Sequence, residues 1–133
     1  MTQETAVLFA NEAFYLTFTS RDAAAMDAIW STRTDVTCIH PGWPPIRGRE
    51  AVIGSWRDIL DNPEAPEISC QNAHATIDGT MAYVLCTEVL SGGQLAATNI
   101  FVHEDGVWKM VHHQAGPMPQ TAPEPPQRKP TLQ

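Results

Sequence analysis

Cations are scarce in this chain. Eight lysines and arginines stand against fifteen aspartates and glutamates in 133 residues, a formal charge of -7. Binding to a nucleic-acid backbone is driven by cations that release condensed counterions, so no nucleic-acid partner is expected. Long apolar runs are missing too; none approaches the roughly 20 residues that span a bilayer. The start Met1-Thr2-Gln3-Glu4 has neither the basic nor the apolar region of a signal peptide. These absences lead to the expectation of a soluble, cytoplasmic protein without a membrane partner. Cysteine is sparse: Cys38, Cys70 and Cys86 are odd in number, lack metal-type spacing and lie in apolar strand-like segments. Reduced, buried thiols are expected, with Cys38, two residues before His40, the weaker alternative of a nucleophile. There is no phosphate-binding glycine loop, dinucleotide fingerprint or serine elbow. His40, His74, His103, His112 and His113 form no dense ligand motif. No cofactor and no metal are expected.

What is present suits one domain with a real core: 43% of residues are apolar and 17% charged. Residues 4 to 19 contain neither Gly nor Pro, and Ala6, Phe9, Ala10, Ala13 and Leu16 recur at helical spacing, which predicts an amphipathic helix. Asp22 can cap a second helix with Met26, Ile29 and Trp30 on one stripe. Asp35 to Ile39 reads as a short strand, stopped by the stiff loop Pro41-Gly42-Trp43-Pro44-Pro45. A third helix opens at Gly48-Arg49-Glu50, buries Val52, Ile53, Trp56, Ile59 and Leu60, and ends at Asn62-Pro63.

From Glu67 the period changes to two. Four strand-like runs, 67–77, 80–90, 94–103 and 107–115, are joined by short glycine-bearing turns, which predicts an antiparallel meander. The apolar parity of the first run shifts between Ile68, Cys70 and Ala73, Ala75, Ile77, so a bulge and bend are expected near Gln71-Asn72. Residues 81–90 and 96–102 are apolar at both parities, and three helices can cover only one sheet face. The open face is therefore expected to be covered by a second copy, giving a homodimer. The domain is taken as 1–116; residues 117–133 hold six prolines and read as an extended or disordered tail.

The order helix, helix, strand, loop, helix, four antiparallel strands resembles the nuclear-transport-factor-2-like superfamily, and in particular its SnoaL-like members, over residues 4 to 116. The resemblance is sharpest at His40-Pro41-Gly42, at Ile46-Arg47-Gly48-Arg49-Glu50-Ala51-Val52 and at Asp105-Gly106-Val107-Trp108 to His112-His113. The same ending resembles the association domain of calcium/calmodulin-dependent kinase type II. The resemblance implies an α+β cone: three N-terminal helices packed in the concave face of a strongly curved, mainly antiparallel sheet, with a ligand at the open end. It spans isomerases, dehydratases, cyclases, hydrolases, transport factors and assembly domains, so it does not name a reaction. Many relatives carry a further histidine and a serine where this chain has Gln114 and Gly116.

In such a cone His40, at the end of the first strand, and His112, on the last, can meet near the opening and exchange a proton with a ligand. Strand alternation puts Trp108, Met110, His112 and Gln114 on one face and Lys109, Val111, His113 and Ala115 on the other. Lys109 prefers water, so the Trp108 face is assigned inward and His112 chosen over His113. Asn99 can offer a donor and an acceptor, and Tyr15, Trp30, Trp43, Trp56 and Trp108 can wall the cavity. Plain structural roles remain the alternative for each. Glu88 is the only acid well inside a strand; it must find a partner, face an interface or take a proton. The expected function is binding of a small, largely apolar organic ligand, with cofactor-independent isomerisation, dehydration or hydrolysis by His40 and His112. The alternative is a non-catalytic association or ligand-sensing module.

Overall fold

The computed structural model describes residues 1–119. Helices α1 (Gln3–Ser20) and α2 (Ala23–Ile29) lead into strand β1 (Thr37–Ile39), β2 (Ile46–Arg47) and α3 (Arg49–Asp61). The meander β3 (Ser69–Asp78), β4 (Met81–Leu90), β5 (Gly93–Glu104) and β6 (Val107–Met118) follows. All six strands form one sheet in the order β2-β1-β6-β5-β4-β3, antiparallel except where β1 joins β6 in parallel. This is the α+β cone: the helices pack in the concave face of a bent sheet. No helix among the described residues is long and apolar enough to cross a membrane.

The helices start where short polar side chains satisfy free amides. Thr2 Oγ1 accepts from the Thr5 amide at 3.0 Å, and Asp22 Oδ1 accepts from Ala25 at 3.0 Å. Helix α1 does not bury the stripe that spacing suggested. Phe9 and Leu16 are 69% and 58% exposed, while Val7, Asn11, Phe14 and Phe18 turn inward with Tyr15 and Thr17. The buried set also has helical spacing, but Asn11 and Thr17 break its apolar signal, and the outer set reads more cleanly for that reason. Helix α3 buries Val52, Ile53, Trp56 and Leu60 as its pattern requires, together with Ser55.

Two bulges shape the sheet. In β3 the register passes from Gln71↔Thr87 to His74↔Leu85, two residues facing one, with Asn72 at φ 57. This is the bend that the parity shift predicted. In β6 the register passes from Phe101↔Met110 to Ile100↔His112, leaving Val111 as the extra residue. An extra residue inverts which side chains point inward beyond it.

Three further features depart from the sequence reading. β2 is an unforeseen two-residue strand, β1 extends the sheet by parallel pairing with β6, and β6 runs on through Pro117 and Met118, opposite Leu95 and Gln94. Pro117 is tolerated because β1 pairs with β6 only as far as Gln114, so that edge of β6 is open. The domain thus extends past residue 116, and the rest of the expected tail, residues 120–133, lies outside the described residues.

Candidate functional site

Between α1, α3, the β1–β2 loop and the concave face of β4 to β6 lies a cavity of about 350 Å³. Its wall is apolar, with Phe18, Pro41, Trp43, Trp56, Ile59 and Leu95 among its residues. Among the described residues, only three side chains other than the tryptophans bring polar groups to it: His40, Glu88 and His113, each no more than 3% exposed.

The β1–β2 loop places one wall. Proline favours the second position of a tight turn and glycine with positive φ the third. Pro41 and Gly42, the latter at φ 79, supply both, and the turn closes with Trp43 N donating to His40 O at 2.9 Å. The turn folds Trp43 over the His40 ring, centroids 4.9 Å apart. Gly48, at φ 95, then swings the chain into α3. Arg49, within the Ile46–Val52 motif, fixes that helix, donating to Ser31 O at 2.9 Å and to Asp27 Oδ1 at 2.8 Å. Arg21, at the end of α1, donates to Asn62 O and Ala65 O and holds the loop that carries Pro66 to the cavity rim.

The structure reverses the choice between the paired histidines. His113 is buried in the cavity floor; His112 lies on the convex face, its Nδ1 2.7 Å from Thr37 Oγ1. The inward assignment of Trp108 and Met110 holds, but the Val111 bulge flips parity before His112 is reached. The wall is also narrower than expected. Trp43 and Trp56 line the cavity, whereas Trp30 is core, bridging to Met110, and Trp108 sits at the other end of the cone with its Nε1 on Gln3 Oε1. Tyr15 and Asn99 stand behind the polar floor, and His40 lines the cavity as expected.

The floor is a directional hydrogen-bond network. Asn99 Nδ2 donates to Asn11 Oδ1 at 2.8 Å and to Tyr15 Oη at 3.1 Å, leaving Asn99 Oδ1 as an acceptor facing His113 Nδ1. An amide oxygen only accepts, so the network assigns the His113 proton to Nδ1 and leaves a lone pair on Nε2. Tyr15 Oη in turn donates to Glu88 Oε2 at 2.8 Å. His40 is assigned the opposite tautomer. Ser55 Oγ gives its only proton to Val52 O at 2.7 Å, so it accepts from His40 Nε2 at 2.9 Å and leaves Nδ1 without a proton, 3.9 Å from Cys38 Sγ.

Burial sets the charge states. It pushes the Glu88 carboxyl up to about 7, against the lowering effect of the Tyr15 hydrogen bond. It drives His40 down to about 4, and His113 to about 3 with help from the charges of His40 and His112. His113 Nε2 lies 3.7 Å from Glu88 Oε2, a distance open to an ion pair, but an imidazole so hard to protonate is neutral here. Tyr15 is raised, first by burial and then by Glu88, so it stays a phenol. The cavity therefore ends in two neutral imidazoles and one carboxyl balanced between its forms near neutrality. The Trp56 ring stands between the imidazoles, 4.5 Å from His40 and 5.4 Å from His113, and its buried indole N–H has no acceptor among the described residues.

Sequence reasoning missed Asn11, Ser55 and His113. The available signals were the Val7-Asn11-Phe14-Phe18 stripe and the position of Ser55 beside Val52 and Trp56 on α3; for His113, beyond the Val111 bulge, hydropathy offers none.

Known proteins are similar to this chain along most of its length. A candidate dehydratase of the NTF2-like family from Streptomyces avermitilis is 31% identical, with a TM-score of 0.78 over 86% of this chain and 94% of that one. A candidate calcium/calmodulin-dependent protein kinase type II association domain from Thiobacillus denitrificans is 29% identical, with a TM-score of 0.76 over 83% and 93%. The F-box protein SKIP8 of Arabidopsis thaliana is 29% identical over 115 residues, which are 85% of this chain and 50% of that protein. This chain thus spans about half the length of that relative. The model of the SnoaL-like domain matches residues 7–120, and the chain belongs to that family of the NTF2-like fold.

Proposed function

We propose that the cavity binds a small, uncharged, largely apolar molecule by a hydroxyl or carbonyl group, and that Glu88 transfers a proton to or from it without a cofactor. The observation that carries this reading is a buried carboxyl, held by Tyr15 and raised to about 7, at the end of an otherwise apolar cavity. A general acid or base works best when its pKa lies near the working pH. On that measure Glu88 is suited to move the proton and the histidines are not. His113 Nε2 and His40 Nδ1 instead accept from the ligand and orient it. This replaces a histidine pair by one carboxyl with two neutral acceptors, and leaves His112 outside the chemistry. Isomerisation and dehydration both need such a group. A candidate dehydratase is among the similar structures, which supports the reading without choosing the reaction.

Thermal-shift screening with neutral hydroxy and carbonyl compounds, followed by turnover assays on the hits, tests this. A compound that stabilises the wild type is expected to lose turnover by about 10²–10⁴-fold in Glu88→Gln, the usual contribution of a positioned acid or base. It should still bind. Unchanged turnover in Glu88→Gln overturns the assignment.

A second reading, an association module, is favoured by the convex sheet face, where Met81, Tyr83 and Leu85 are 48%, 44% and 50% exposed. We propose that a second copy covers this face and that His112, in register with Ile100 and Tyr83, lies within that contact. The two readings are compatible, since cavity and convex face lie on opposite sides of the sheet.

A further inference from the structure

We propose that Cys70 and Cys86 form a redox-responsive thiol pair that closes to a disulfide under a peroxide. Cys70 pairs with Glu88 across β3 and β4, so Cys86, two residues earlier on β4, is its diagonal neighbour. Both side chains point to the concave side, into one set of partners. Asn11 Nδ2 donates to Cys70 Sγ at 3.5 Å, Tyr15 Oη is 3.2 Å from Cys86 Sγ, and Asn99 Nδ2 is 4.0 Å from it. The thiols also act on one another: the neighbouring Cys70 thiol lowers Cys86 from its ordinary value against the raising effect of burial, while Cys70 itself is pushed up. The coupling favours proton loss from Cys86 over Cys70, which makes Cys86 the attacking sulfur of the pair.

Diagonal neighbours in an antiparallel pair lie about 7–8 Å apart between Cα atoms, and a disulfide takes up to about 6.8 Å. A displacement of roughly 1 Å closes that gap. β3 can supply it, because it is the edge strand of the sheet and is already bent at the Asn72 bulge. In the first step Cys86 sulfur attacks a peroxide oxygen; the S–O bond forms, the O–O bond breaks, and water leaves a sulfenic acid. Cys70 sulfur then attacks that sulfur, the S–S bond forms, and hydroxide departs as water with the Cys70 proton. Two thiols and one peroxide thus become one disulfide and two waters. Cys38, buried on β1 with its thiol pushed up to about 12, has no part in this and serves as an internal control.

The test treats the folded, full-length protein with hydrogen peroxide, blocks remaining thiols after unfolding, and maps the unreduced digest by mass. The expected result is a Cys70–Cys86 linked peptide lighter by two hydrogens, reversed by a dithiol, with Cys38 still blockable. In Cys70→Ser the reaction is expected to stop at a dimedone-reactive sulfenic acid on Cys86. Over-oxidation of either cysteine without a link, or links made instead to Cys38 or between chains, overturns the proposal. None of these readouts depends on a ligand or on the role of Glu88, so the cavity reading and the thiol pair fail separately.

Discussion

The two faces of β4 invert the usual rule for a strand. Ala82, Val84, Cys86 and Glu88 are buried on the concave side, while Met81, Tyr83 and Leu85 stand in water on the convex side. The inner face ends in a carboxyl; the outer face carries the larger apolar groups. A buried carboxyl is retained at a cost, and exposed apolar rows are a liability unless covered. Under the proposed function, the concave face gives up stability for chemistry and the convex face gives up solubility for association.

Three measurements break or sharpen that contrast. The largest effect falls on the inner network: Asn99→Leu keeps the volume but orphans Asn11 Oδ1 and the His113 N–H, while Tyr15 Oη keeps Glu88. At about 1–3 kcal/mol for each unsatisfied buried group, a loss of about 2–6 kcal/mol is expected in chemical denaturation. A loss under about 1 kcal/mol means that the network adds little to stability.

Next comes the pH dependence of Glu88. Its folded value, raised from 4.5 to about 7, makes the protonated form the favoured one, so its stabilisation is complete below pH 4.5 and disappears as pH rises through 7. Glu88→Gln should therefore gain on the wild type as pH rises, by on the order of 3 kcal/mol between these limits. His40 and His113 act in the opposite sense: their depressed values give stability that is complete above 6.5 and lost as pH falls toward 4 and 3. Parallel stability curves for wild type and Glu88→Gln between pH 4.5 and 8 contradict the burial of a titrating carboxyl.

The smallest effect on the protomer is expected on the outer face. Leu85→Lys should shift sedimentation toward the monomer while changing protomer stability by no more than about 0.5 kcal/mol. An unchanged sedimentation profile counts against association through that face.

Local pattern made much of this molecule legible. The alternation and short turns after Glu67 specify the meander, Asp22 a helix start, and the parity shift around Gln71 a bulge. Misreading began where polar residues occupy core positions. Asn11 obscured the buried stripe of α1 because its reason for being inside, Asn99, lies 88 residues away. The same limit affected β6. Trp108 and Met110 were rightly turned inward, but the Val111 bulge leaves no trace in hydropathy, and alternation carried past it selects the wrong histidine.

The amino-acid order by itself determined the elements, their succession and the opposition of polar and apolar positions, because propensity, capping and turn chemistry act over a few residues. Which groups share the cavity was decided only by the tertiary structure. Charge and tautomer depend on burial and on partners brought together from α1, α3, β1, β4, β5 and β6, and no local pattern encodes that distance. Thus Glu88 becomes a proton-transfer candidate, and His113 rather than His112 its neighbour, only once the sheet has bent around the helices.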